Sequence, residues 1–110
     1  MSDKAPRQTV LVVDDEKNTR EGLARALRRD YEVVLAESAE TALAALAERP
    51  VDVMLSDVRM PAEDGLALLR EVRRRHPDVV VILLTAYGNV ETAVEAMKVG
   101  AADFLTKPVN

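Results

Sequence analysis

The sequence predicts an α/β protein: a doubly wound, five-stranded parallel sheet with helices on both faces. Three observations carry that reading. Short runs of Val, Ile and Leu alternate with longer amphipathic segments, and a short apolar run closes the series. One run, Val79 to Leu84, is six consecutive β-branched or leucine residues, which suits a strand covered on both faces. Strands that alternate with helices in this way lie parallel, joined by right-handed crossovers. Ligands of such sheets bind beyond the carboxyl ends of the strands, where the strand order reverses.

The elements follow in order. Thr9 to Val13 is the first strand. A helical pattern comes next, with Leu23, Ala26 and Leu27 on one face among Arg20, Glu21, Arg25 and Arg28. Tyr31 to Ala36 is the second strand. Ser38 is placed to cap the second helix, because its hydroxyl can accept a free N–H of the first turn. Behind it Ala39, Ala42, Leu43 and Leu46 recur at helical spacing. Val51 to Ser56 is the third strand, and a loop from Pro61 to Gly65 leads to a helix with Leu66, Leu68, Leu69 and Val72. Val79 to Leu84 is the fourth strand. Asn89 can cap a fourth helix that turns Val90, Ala93, Val94 and Met97 inward. Gly100 stands where a glycine ends a helix in the left-handed region. Ala102 to Leu105 is the fifth strand. Residues 1–8 read as a flexible N-terminal segment and residues 9–110 as one domain.

Composition narrows the class. The 110 residues suffice for one domain with a core. Apolar residues make up 48% and charged residues 31%, a globular rather than a disordered balance. Only 3% is aromatic, so the core is aliphatic. There is no cysteine, hence no disulfide scaffold and no thiolate chemistry. No apolar run approaches the roughly 20 residues that span a bilayer. The net charge of −4 argues against direct nucleic-acid binding by this domain.

The chemistry lies at the strand ends. The first strand runs straight into Asp14 and Asp15, and the third ends at Asp57. If these strands are neighbours, three carboxylates converge on one pocket. Two unit charges about 5 Å apart repel by roughly 3 kcal/mol at an effective dielectric near 20. A divalent cation removes that penalty, and a few hard oxygen ligands suit Mg²⁺, which keeps waters and accepts a phosphate oxygen. The alternative is that Asp14 and Asp15 are solvated acids near a helix start. Thr85 closes the fourth strand and Lys107 follows the fifth, so a hydroxyl and an ammonium join the same sheet edge. Their ordinary alternatives are a helix cap and a surface lysine.

The segments VVDDE (12–16), LSDVRMPAEDG (55–65), ILLTAYG (82–88) and GAADFLTKP (100–108) resemble the receiver domain of bacterial two-component response regulators. The resemblance runs from Thr9 to Pro108 and is nearest to receivers of NtrC-type AAA+ transcriptional activators. It implies a flavodoxin-like strand order 2-1-3-4-5; the handedness rules above admit that order, and a member of this family is a standard example of it. It implies that Asp57 is the phosphoacceptor and that Asp14, Asp15, Asp57 and the main-chain carbonyl of Arg59 hold Mg²⁺. Lys107 would pair with the incoming phosphoryl oxygens and Thr85 would bond the attached group. Thr85 and Phe104 would form the switch, read out through the fourth helix and fifth strand. Phe104 as plain core is the alternative. The implied partners are a sensor histidine kinase, an output domain in the full-length regulator, and a second copy in a homodimer. The implied setting is cytoplasmic, and the implied role is signalling rather than enzymatic turnover. Receivers carry a fifth helix that is expected to be missing here, leaving part of one sheet face, including Val10, Val12 and residues of Val79 to Leu84, uncovered. A haloacid-dehalogenase-type phosphatase wants a second Asp two residues beyond its nucleophile; that position is Arg59. A receiver-shaped module that is never phosphorylated is the remaining alternative, and the complete set of phosphorylation residues argues against it.

Overall fold

The computed structural model describes residues 7–57, 59–60, 63–85 and 90–106. The main sheet contains β1 (Thr9–Val13), β2 (Glu32–Ala36), β3 (Val53–Asp57), β4 (Val80–Thr85) and β5 (Asp103–Thr106). Between them run α1 (Lys17–Leu27), α2 (Ala39–Glu48), α3 (Gly65–Arg75) and α4 (Val90–Val99). All neighbours are parallel, and the order is β2-β1-β3-β4-β5. The predicted architecture and strand order are both present.

Side-chain alternation divides the core. Leu11 and Val13 of β1, Met54 of β3 and Val81 and Leu83 of β4 point to one face. There they meet Ala42 and Leu46 of α2, Leu68, Leu69 and Val72 of α3, and Ala96 of α4. At roughly 1.5–3 kcal/mol for each fully buried aliphatic side chain, this layer is the main source of stability. Val10 and Val12 point to the opposite face, which α1 covers, with Ala24 wholly buried. This corrects one expectation: Val10 and Val12 are 4% and 0% exposed, so they do not belong to an uncovered surface. The thin cover lies further along that face, where Val80 is 42% and Leu105 37% exposed.

Local signals explain the ends of the helices. Ser38 caps α2 as its sequence position predicts. Its hydroxyl accepts the Thr41 N–H at 3.1 Å, and the Thr41 hydroxyl accepts the Ser38 N–H at 3.1 Å, a reciprocal capping box. The end of α4 is a complete Schellman motif. Gly100 has φ +119°, its N–H reaches Met97 O at 3.2 Å, and the Ala101 N–H reaches Ala96 O at 3.0 Å. Asn89, the expected cap of α4, lies outside the described residues.

Two helix faces differ from expectation. In α1 the buried alanine is Ala24, while Ala26 is exposed; Leu23 and Leu27 are half-buried and either alanine could flank them. In α4 the rotation is larger. Val94 and Met97 are each 48% exposed, and Ala96 is buried instead. The small Ala96 side chain lets the helix approach the core closely, and the cap sets it against buried Ala101. Strand limits also shift slightly: Tyr31 and Val51 lie outside β2 and β3, and β4 and β5 each begin one residue later than expected. A two-residue antiparallel ladder pairs Arg59–Met60 with Glu63–Asp64, so the second half of the ladder falls within the stretch from Pro61 to Gly65 read as a plain loop.

Candidate functional site

The register builds a pocket at the carboxyl edge of the sheet. Val13 pairs with Ser56, so Asp14 emerges from β1 level with Asp57 at the end of β3. Asp57 in turn pairs with Leu84, which places Thr85 beside it on β4. Thr85 pairs with Thr106, the last residue of β5. Three of these side chains are inside the protein: Asp14 is 0%, Asp57 6% and Thr85 2% exposed. Ionised carboxylates in such a place need strong compensation, because water is excluded from them.

Asp14, Asp15 and Asp57 each offer a carboxylate oxygen, and these oxygens lie within 4.8 Å of one another. The loop that carries the first two is tied down. The Asp14 N–H donates to Ala36 O at 3.1 Å, and Asp14 Oδ1 accepts the Glu16 N–H at 2.9 Å. Arg20 of α1 donates from Nη1 to the Asp14 carbonyl at 2.9 Å. Thr19 donates its hydroxyl to Glu16 Oε1 at 2.6 Å, engaging the acid that follows the pair. Asp15 lies at the mouth of the pocket and is exposed. The protein on its inner side still strips water from its carboxylate, and this, followed by the charge of Asp14, raises its pKa above the ordinary 3.8. Asp57 adds a smaller push in the same direction, as does a side-chain hydrogen bond with Asp14. Crowded hard oxygens, two of them buried, suit a small divalent cation.

The sequence placed Asp14, Asp15, Asp57 and Thr85 together, and the structure does so. Phe104 sits on β5 opposite Leu83 and is half-buried against the core. Parallel neighbours in register share a face, so its ring lies on the Thr85 side of the sheet. The backbone of Arg59 lies in the short ladder just past Asp57. Lys107 is outside the described residues. Arg20 was read only as a polar flank of the first helix. Its signal was available: a cation near a helix start, where acids belong, directly after an acidic pair.

A doubly wound parallel sheet with a carboxylate pocket at its carboxyl edge defines an α/β protein that binds its ligands at the strand ends. Residues 10–110 match the response regulator receiver domain, and the chain belongs to that family. Its relatives are NtrC-type regulators. It is 44% identical over 105 residues to the response regulator protein PilR of Pseudomonas aeruginosa, covering 94% of this chain and 24% of PilR. It is 46% identical over 105 residues to the DNA-binding transcriptional regulator NtrC of Salmonella typhimurium, covering 94% of this chain and 22% of NtrC. The chain thus spans under a quarter of the length of these relatives. Among solved structures it resembles the beryllofluoride-activated NtrC4 receiver domain dimer, with TM-score 0.87 and 38% identity over 93% of this chain and 85% of that one. It also resembles a response regulator protein from Burkholderia pseudomallei with a phosphorylated aspartic acid, calcium ion and citrate. That match has TM-score 0.88 and 34% identity, covering 94% of this chain and 61% of that one.

Proposed function

We propose that this domain is a phosphorylation switch that accepts a phosphoryl group on Asp57 and passes the change to an output domain. The observation that supports it most is the buried Asp57 carboxylate set beside Asp14, Asp15 and Thr85 at one sheet edge. An Asp57 oxygen attacks phosphorus, the bond from phosphorus to the histidine nitrogen of a sensor kinase breaks, and an aspartyl phosphate remains. Asp14, Asp15, Asp57 and the Arg59 carbonyl would hold Mg²⁺, whose charge would offset that of the carboxylates and of the phosphoryl group. Thr85 bonds the attached group, and Lys107 balances its charge. The Burkholderia pseudomallei relative, whose structure contains a phosphorylated aspartic acid and a calcium ion, supports this assignment.

Readout runs through α4 and β5. The outward face of α4 carries Val94 and Met97, each 48% exposed, and β5 is an edge strand of the sheet. Exposed apolar side chains of this size beside an open edge suit a protein partner. The dimeric NtrC4 receiver supports a second copy as one such partner, with the output domain as the other. Among the described residues no helix is long and apolar enough to cross a membrane. A cytoplasmic setting completes the reading, since the phosphoryl donor acts there. The domain is a signalling module whose only chemistry is on its own Asp57.

Incubation with acetyl phosphate and Mg²⁺, followed by intact-mass spectrometry, tests the reading. One phosphoryl group should be gained by the wild-type protein and none by Asp57→Asn. No gain in the wild type, or an equal gain in both, would sink it.

A further inference from the structure

We propose that Arg20 is a positioning residue for the carboxylate pocket, clamping the Asp14–Asp15 peptide so that both side chains are presented to a divalent cation. This rests on the Mg²⁺ reading above. The contact is specific: Arg20 Nη1 donates to the Asp14 carbonyl at 2.9 Å from a partly buried position. That carbonyl belongs to the peptide unit joining Asp14 to Asp15. Rotation of this unit would swing the Asp15 carboxylate away from its partners, and the bond to Arg20 opposes it. The clamp also joins the opening of α1 to the end of β1, the two elements between which the acidic loop is strung.

A second observation is independent of the bond. The N-terminus of a helix carries positive partial charge and favours acids, yet α1 has no acid in its first turn. It opens instead with Lys17 and carries Arg20 as its fourth residue. Cations there work against the helix. Both follow closely on Asp14 and Asp15, two of the three carboxylates that lie within 4.8 Å of one another, whose negative charge offsets that cost. The guanidinium suits the task better than an ammonium, because its rigid fork fixes the direction of the bond as well as its charge.

The two effects of Arg20 on a bound cation have opposite signs, which makes the clamp testable. As a charge it repels Mg²⁺, so its loss alone would tighten binding. As a clamp it holds the ligands in place, so its loss weakens binding. Calorimetric titration of the whole chain with Mg²⁺, for wild type, Arg20→Met and Arg20→Lys, separates them, with urea midpoints in EDTA measured alongside. Loss of an outer partner of a metal ligand costs about 10–100-fold in affinity. Arg20→Met should fall in that range, and Arg20→Lys, which keeps a donor but not the rigid fork, should recover only part of the loss. Unchanged or tighter Mg²⁺ binding by Arg20→Met overturns the clamp, whatever its urea midpoint does. Should Arg20→Met lose its helical circular dichroism, Arg20→Gln decides by the same criterion. A wild-type chain that takes up no Mg²⁺ overturns the reading of the pocket itself and the clamp with it.

Discussion

Replacing Asp15 by Asn removes one of three crowded charges while keeping the shape of the side chain. The carboxylate oxygens lie within 4.8 Å of one another, so Asp15 repels both Asp14 and Asp57 from that distance or less. Each pair costs about 3.5 kcal/mol at an effective dielectric of 20 and about 0.9 kcal/mol in bulk water. Asp15 is exposed, so the lower end governs, and the two pairs together come to ~1–2 kcal/mol. The direction of its pKa agrees: partial burial first, and then the charges of Asp14 and Asp57, favour the uncharged form. In EDTA at neutral pH, Asp15→Asn should therefore melt higher than wild type, by about 4 °C for each kcal/mol in a domain of this size. With Mg²⁺ the order should reverse: wild type gains about 2.7 kcal/mol at a hundredfold excess over its dissociation constant, and the variant gains little. Phosphorylation from acetyl phosphate should be lost in the variant. Calorimetric melts with and without Mg²⁺ read both effects. A variant that melts well below wild type in EDTA would show that crowding is not what Asp15 contributes.

Three further outcomes are expected. The Asp15 carboxyl binds its proton more tightly when folded, so its stabilising contribution is complete below 3.8 and is lost as pH rises through the raised folded value. The metal-free stability gap between Asp15→Asn and wild type should accordingly be widest at neutral pH and close on acidification, as urea midpoints across that range will show; a gap that widens in acid has the wrong sign. Ser38→Ala removes the bond that the Ser38 hydroxyl accepts from the Thr41 N–H, leaves the one that its own N–H donates to the Thr41 hydroxyl, and should cost about 1 kcal/mol in urea unfolding, with Mg²⁺ affinity unchanged. Gly100→Ala forces a side chain into φ +119° with its Cβ 3.2 Å from Arg73 Cδ, and should cost about 1–3 kcal/mol; a melt equal to wild type would mean that the helix end relaxes freely.

The strand ends were legible because they are where composition changes abruptly. Four apolar residues followed by two aspartates mark a strand end in a sheet whose strands are buried, and Asp57 and Thr85 at the same edge favoured a pocket over solvated loop acids. Register then did the rest, bringing Asp14 and Asp57 level across β1 and β3. The α2 cap was legible because a hydroxyl has one use before an apolar stripe. The facing of α4 was not. Its stripe of Val94 and Met97 has helical spacing, but spacing cannot tell an inward face from an outward apolar one. Burying Ala96 instead depends on how closely the helix approaches its neighbours, a property of the whole packing arrangement. Arg20 was overlooked for a related reason. Its charge near a helix start was the one available signal; its partner is a backbone carbonyl, which leaves no mark in a sequence.

The pocket is stiff on one side and open to movement on the other. Asp14 and Asp57 end β1 and β3, and each of these strands is paired on both edges. Beneath them Leu11, Val13, Met54 and Leu83 are sealed in the core, so the carboxylates cannot drift apart to relieve their repulsion. Relief has to come from charge brought in, as the proposed cation and phosphoryl group would bring it. Thr85 stands at the boundary. Its strand is paired on one side to rigid β3 and on the other to β5, which has a single neighbour. Phe104 lies on that strand, half-buried, on the same face as Thr85 and one pleat behind it. A phenyl ring needs no hydrogen-bond partner, so an inward move would strand no polar group. Beyond it lies α4, which exposes Val94 and Met97 to solvent. Under the proposed reading, charge placed on Asp57 would therefore be felt first at Thr85, β5 and α4, the side on which the protein presents exposed apolar side chains.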